Sequence, residues 1–320
     1  MEALIYDGEL SFTPDYPMPV RAAGEALIRM TTAGICSTDL EITHGYMDFR
    51  GVLGHEFVGI VEEAESSALL GQRVVGEINC PCNECSYCNH GLSNHCPYRT
   101  VLGILGRDGA FAEYLTLPEA NLQIVSQSVP DDEAVFAEPL AAALEITEQV
   151  KVHQGANVAV LGDGRLGLLA SQVLALTGAS VTCIGNHEGK LALLEGTSVK
   201  RVLAGQDTST RFDLVVDCTG SAGGFDEALR LVRPRGTIVL KSTVASKASL
   251  NLAPLVINEI TVVGSRCGPL RKALDLLEQR RVEVARLITD RYPLSGGLAA
   301  FDAAATRSAV KVLLYPTPQS

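Results

Sequence analysis

Two rhythms of apolar and polar residues follow one another along this chain. Up to about Glu138 the apolar residues fall in short alternating or β-branched runs, at 25–30, 57–62, 72–75 and 111–117, set apart by Gly and Pro. That spacing predicts an irregular, strand-rich region. From Val158 the pattern becomes one of strands alternating with helices. A buried strand at 158–161 leads into a helix at 166–176, then come strand 180–184, helix 190–195, strand 213–217, helix 224–231 and strand 237–241. Such alternation implies right-handed crossovers and a doubly wound parallel sheet, hence an α/β protein. Residues 260–263 predict one more strand at the edge or centre of that sheet, 271–279 an amphipathic helix, and 309–315 a closing strand.

A length of 320 residues suits two domains of ordinary size. Apolar residues make up 47% and charged residues 20%, a soluble globular composition. The longest apolar run, 166–176, is broken by Ser171 and Gln172 and is too short to cross a bilayer, so no membrane partner is expected. A net charge of −11 argues against nucleic acid, because a phosphate-tracking surface needs a basic field. The first residues, Met1 to Asp7, do not resemble a secretory signal, and Cys36, Cys183, Cys218 and Cys267 are scattered as reduced thiols would be. A cytoplasmic enzyme is the default.

Cys82, Cys85, Cys88 and Cys96 carry the strongest local signal, with the spacing C-x2-C-x2-C-x7-C. Closely spaced thiolates in a loop supply the closed tetrahedron of a structural zinc. The surrounding stretch is rich in Asn, Ser, Gly and Pro without helical or strand period, so residues 80–97 read as a lobe folded around metal. Cys80 precedes the ligands at a strand end. Downstream, Gly162-Asp163-Gly164-Arg165-Leu166-Gly167 follows a strand and opens a helix, the context in which a G-x-G-x-x-G binds a dinucleotide. Gly162 permits the tight turn, Gly164 the approach of a pyrophosphate to the helix N-terminus, and Gly167 close packing of helix on sheet. The tip of the second strand reads Gly185-Asn186-His187, with Lys190 one turn on and no carboxylate at the tip. Those donors suit the 2′-phosphate of NADP, whereas an NAD site places an acid there.

Cys36-Ser37-Thr38-Asp39, Gly54-His55-Glu56 and Glu138-Pro139-Leu140 offer one thiolate, one imidazole and two carboxylates. A catalytic zinc needs about three such ligands and an open position. With these motifs, the cysteine lobe, Gly109-Ala-Phe-Ala-Glu-Tyr114, the Gly162 loop and Asp217-Cys-Thr-Gly220, the chain closely resembles the zinc-dependent alcohol dehydrogenases of the medium-chain dehydrogenase/reductase superfamily, nearly end to end. A glutamate at 138, where the alcohol dehydrogenases of that superfamily more often have cysteine, points to the polyol, threonine and sugar dehydrogenase branch.

The resemblance implies a GroES-like β-rich catalytic domain over 1–139 and 268–320, with a Rossmann domain over 140–267. It implies two zinc ions per chain, one held by Cys36, His55 and Glu56 or Glu138, and the other by the four-cysteine lobe. Thr38 would accept the substrate proton and pass it toward Glu41 or His44, and Asp39 would orient His55. Thr219 and Lys311 fall where the family contacts the cofactor, Lys311 at the pyrophosphate. The implied reaction is reversible hydride transfer between a secondary alcohol, polyol or sugar and NADP. NAD with a threonine- or sorbitol-type substrate is the alternative, and a non-catalytic NADP-binding sensor or scaffold is the alternative of another class. The partner is then a small alcohol or carbonyl compound. Assembly through Rossmann edge strands would give a homo-oligomer, a tetramer rather than a dimer. Three features depart from the family. The interval from Cys36 to His55 is short, Glu65 stands where a small residue is usual, and Glu41 stands where a histidine relay is frequent.

Overall fold

A computed structural model describes residues 1–206, 210–242 and 250–318. The chain divides into two compact units, Met1–Glu138 with Ile288–Ser320, and Pro139–Leu287. Residues 268–287, expected with the first domain, lie in the second unit. Among the described residues no helix is long and apolar enough to cross a membrane.

The first unit is built on a seven-stranded sheet in which Leu122–Ile124, Arg73–Gly76, Glu56–Glu63, Glu25–Ile35, Lys311–Tyr315 and Ile288–Pro293 are successive neighbours, with Tyr114–Pro118 also paired to Glu25–Ile35. The eleven-residue strand Glu25–Ile35 is its spine. Antiparallel pairing sets Gly34 opposite Glu56 on one side, and Ala33 opposite Leu314 and Ile35 opposite Val312 on the other. The inward faces carry Ile28, Met30, Val61, Val74, Leu115 and Leu314 into one apolar core. Alternation also predicts strand at 111–113, but there the chain is spent on the neighbouring turn. Phe111 N–H donates to Leu53 O at 2.8 Å and Ala110 N–H to Gly54 O at 2.8 Å. Gly54 has φ 96° and its missing Cβ would fall 2.3 Å from the Phe111 ring, so the turn before His55 admits only glycine.

The second unit holds a six-stranded, all-parallel sheet in the order Lys200–Leu203, Ser180–Gly185, Asn157–Leu161, Phe212–Asp217, Val232–Leu240, Thr261–Gly264. This is the doubly wound arrangement the β/α rhythm predicts, with the order reversing at Asn157–Leu161. Helix Arg165–Ala175 presents Leu168, Leu169, Val173 and Leu174 as buried residues. The helix expected at 190–195 begins earlier, as Glu188–Leu191, and tightens to a 3₁₀ turn at Ala192–Leu194. Thr261–Gly264 is an edge strand.

Gly34 is a close-packed point of the first unit. A Cβ there would lie 2.8 Å from Glu56 Oε2 and 2.8 Å from Lys311 Nζ, both on fully buried side chains. Gly34→Ala is therefore expected to overpack this junction and lower stability by about 1–3 kcal/mol, measured as a shift of the urea midpoint against wild type. An unchanged midpoint would show that the junction yields freely.

Candidate active site and metal centres

Three neighbouring strand ends deliver the first cluster. Glu25–Ile35 runs out into Cys36, Glu56–Glu63 begins at Glu56 directly after His55, and Lys311–Tyr315 begins at Lys311. One ligand atom each of Cys36, His55 and Glu56 lies within 4.8 Å of the others. His55 and Glu56 are buried and Cys36 is half-buried.

Asp39, itself fully buried, ties this cluster together. It stands in the first turn of helix Ser37–Thr43, where its Oδ2 accepts the backbone N–H of Cys36 at 2.7 Å. Its Oδ1 lies 3.2 Å from His55 Nδ1, a charge contact rather than a well-aligned hydrogen bond. With Nδ1 turned to the carboxylate, Nε2 is the nitrogen left for a ligand. Burial works against a charged His55, but the negative charges of Asp39 and Cys36 outweigh it and raise its pKa well above the ordinary value. A pocket that draws a proton onto a buried imidazole is short of positive charge. Thiolate, imidazole and carboxylate in this arrangement fit a zinc ion.

Thr38 sits beside the cluster, with its Oγ1 3.8 Å from Cys36 Sγ. Glu41 and His44 are exposed, His44 at the C-cap of the same short helix. Glu138, in the first turn of helix Ala137–Gln149, is not one of the residues drawn into the cluster. Of the two candidate carboxylates it is Glu56 that joins Cys36 and His55.

Lys311 opens the strand Lys311–Tyr315 beside this cluster. It has no exposed surface, its Nζ pairs with the Glu56 carboxylate, and it lies 5.3 Å from the centre of the Phe136 ring. Burial lowers its pKa to about 8, against the pull of Cys36 and Asp39, so it remains a cation at neutral pH beside the cluster. Gly34, which leaves room for the pair, carries no sequence signal by itself.

The four lobe cysteines form the second cluster, again with ligand atoms mutually within 4.8 Å. Sγ–Sγ distances are 3.5 Å for Cys85–Cys88, 3.7 Å for Cys85–Cys96 and 3.5 Å for Cys82–Cys96. A tetrahedron with Zn–S bonds of about 2.3 Å has edges of about 3.8 Å, so the thiols stand at the separation zinc requires. None of the cysteines is in a disulfide. Burial opposes ionisation of Cys96, yet the backbone N–H groups of Cys82 and Tyr98 prevail and bring its thiol down to about 7. Cys80 stays outside the cluster, buried in the strand Asn79–Cys80, where Asn121 Nδ2 lies 3.7 Å from its sulfur.

In the second unit, the glycine turn lies at the C-terminal edge of the parallel sheet. Gly162 has φ 108°, and a Cβ on Gly167 would fall 2.0 Å from Gly162 O, while the space beside Gly164 is open. Arg165 and Leu166, both half-buried, begin the helix. The next strand, Phe212–Asp217, ends in Asp217, whose Oδ1 accepts both the N–H and the hydroxyl of the exposed Thr219. At the tip of Ser180–Gly185, Asn186 is exposed and His187 and Lys190 are half-buried. The tip is not free of acid. Asp163, from the glycine turn, lies against Gly185. Its Oδ2 accepts His187 N–H at 2.6 Å and its two oxygens lie 3.2 and 3.1 Å from His187 Nδ1. Sequence spacing measured only the residues of the strand itself and so missed a carboxylate arriving from 22 positions earlier.

Residues 22–127 match the model of the alcohol dehydrogenase GroES-like domain, and residues 166–279 that of the zinc-binding dehydrogenases. The chain is 31% identical over 306 residues to D-altritol 5-dehydrogenase of Agrobacterium fabrum, with 90% of each chain covered. It is 29% identical over 323 residues to sorbitol dehydrogenase of Halalkalibacterium halodurans, covering 94% of each. The NADP-bound structure of a protein from Sinorhizobium meliloti 1021, described as a zinc-binding dehydrogenase, superposes with a TM-score of 0.89 at 29% identity, over 98% of this chain and 99% of that one. Two metal-ligand clusters, a glycine-turn α/β unit and these matches have one reading: the chain belongs to the zinc-dependent alcohol dehydrogenases of the medium-chain dehydrogenase/reductase superfamily, in the branch that holds the polyol dehydrogenases.

Proposed function

We propose that this protein oxidises a secondary hydroxyl of a polyol or sugar, reversibly with reduction of the matching carbonyl, using NADP or NAD. The observation that carries the reading is the meeting of Cys36, His55 and Glu56 within ligand distance of one another. Zinc held there would supply Lewis-acid activation of the substrate oxygen. Asp39 then serves as a positioning residue for His55, and Thr38 is the hydroxyl nearest the cluster that can take the substrate proton. Glu41 and His44, exposed on the same helix, suit the solvent side of that relay. The four-cysteine lobe would hold a second, structural zinc. Sorbitol and D-altritol in the names of the relatives support a polyol as substrate class. A panel of alcohols, polyols and aldoses with NAD and NADP, followed by absorbance of the reduced cofactor, tests the reading directly. No turnover with any member would overturn it.

Assembly follows from the second unit's edge. Among the described residues Thr261–Gly264 is the last strand of the parallel sheet, and nearby Val256 and Ile257 are 78% and 77% exposed. Apolar side chains beside that edge support a homo-oligomer, read here as a tetramer. Thiols that form no disulfide support a reducing compartment such as the cytoplasm.

Metal analysis should find two zinc ions per chain. Cys85→Ser is expected to remove one and lower Tm by ~5 °C or more, because the lobe has little else to fold around. Cys36→Ser should remove the other, abolish turnover and leave Tm within about 2 °C of wild type. One zinc in fully active enzyme would contradict this assignment.

Thr38→Ala should lower kcat by ~100-fold near neutral pH with the dissociation constant of the cofactor little changed. Full activity across the pH range would require another proton acceptor. Val256→Lys with Ile257→Lys should reduce the mass in light scattering to that of a smaller assembly; an unchanged mass would place the interface elsewhere.

A further inference from the structure

We propose that Asp163 is the cofactor-selecting carboxylate of this enzyme, moved from the tip of the second strand into the glycine turn. The inference rests on the dehydrogenase reading and concerns its nucleotide site. In this fold the tip of Ser180–Gly185 faces the adenosine ribose, and an acid there accepts from the free hydroxyls of NAD and repels a 2′-phosphate. The chain has Gly185 at that tip. A Cβ on Gly185 would lie 2.5 Å from Asp163 Oδ2 and 2.5 Å from Asp163 Cβ. The two positions are therefore coupled: the side chain missing at 185 is what admits the carboxylate from 163. An acid at both positions would not fit.

The carboxylate is held rather than loose. Asp163 is 6% exposed, its Oδ2 accepts the N–H of His187, and the His187 ring nitrogen lies against both oxygens. A carboxylate offers about four lone-pair sites, so these three contacts leave capacity for a ribose hydroxyl. Among the described residues the tip also carries Lys190, whose pKa is lowered chiefly by burial while Asp163 pulls it up, and the exposed Glu188. A 2′-phosphate brought here meets the Asp163 charge at close range in a partly desolvated setting, where repulsion is strong. Asn186, His187 and Lys190 would favour that phosphate; Asp163 opposes it and sets the ratio.

The test is direct titration of NAD and NADP, by quenching of protein fluorescence or calorimetry, into the zinc-loaded wild type and two variants. Asp163→Asn keeps the shape and an acceptor for His187 N–H but removes the charge. It should shift the ratio of the two dissociation constants at least tenfold toward NADP. Asp163→Gly combined with Gly185→Asp clears the Cβ of 163 as well as its carboxylate, returns an acid to the strand itself and should bring the ratio back toward that of wild type. A general loss of structure would weaken both nucleotides together and leave the ratio unmoved. A ratio unchanged in Asp163→Asn, or shifted toward NAD, overturns the inference while the dehydrogenase reading stands. Failure of wild type to bind either nucleotide overturns both.

Discussion

The antiparallel pairing of Glu25–Ile35 with its two neighbours is the constraint on which the first unit's chemistry depends. Cys36, His55–Glu56 and Lys311 are far apart in sequence, and no short loop could gather them. Register does: Gly34 faces Glu56 and Ile35 faces Val312, so three chain segments enter or leave the sheet at one place. A slip of one residue in either pairing would turn Glu56 or Lys311 to the opposite face and break the cluster. The buried alternation that fixes this register is thus also what fixes the ligands. Gly34 is the point where the two requirements meet, since the close approach of Glu56 and Lys311 needs a position with no side chain between them.

The other two sites follow different rules. In the second unit the functional groups gather at the C-terminal edge of a parallel sheet, where each strand hands over to a loop and the Gly162 turn packs against Cys218. The cysteine lobe has almost no core, and its thiols stand within 4.8 Å of one another beside a short helix of four residues, Ser86–Asn89. Sheet register, strand ends and closely spaced thiols are three separate ways of bringing side chains together, and this chain uses all three.

Much of this was legible in the sequence, because the signals involved are local. Cysteine spacing, a glycine fingerprint between strand and helix, and β-branched runs each need only a few neighbouring residues to be read. Helix Gly224–Leu231 and strands near 57–62, 158–161, 180–184 and 213–217 appear where the pattern predicts them. What escaped has a physical reason in each case. Helix Ala137–Gln149 buries Ala137, Leu140, Ala141, Ala143, Leu144 and Ile146, which leaves too little polar face to mark it. Lys200–Leu203 is an edge strand with Lys200 and Arg201 exposed and only Val202 buried, too short for its period to show. Lys311 and Asp163 were visible as residues, but their partners, Glu56 and His187, are chosen by tertiary pairing. The same limit made the strand tip look free of acid.

Charge explains why so costly a group as a buried lysine stays beside the Cys36 cluster. Burying an ion pair seldom stabilises a fold more than a packed apolar pair of the same volume. The first unit nevertheless buries Asp39, Glu56 and Lys311 completely and sets them around a thiolate. With Cys36 ionised, the cluster carries three negative charges against the single positive charge of Lys311, and although burial opposes it, Asp39 and Cys36 raise the pKa of His55. A divalent zinc held by Cys36, His55 and Glu56 would offset the deficit of two and leave the imidazole unprotonated, as a ligand nitrogen must be. Lys311 is then the counter-charge that allows a site with a thiolate, a ligand carboxylate and an orienting carboxylate to be neutral as a whole in a dry setting. Were Lys311 a neutral residue, the same groups around a zinc ion would retain one uncompensated negative charge in a buried setting, a costly state for the fold.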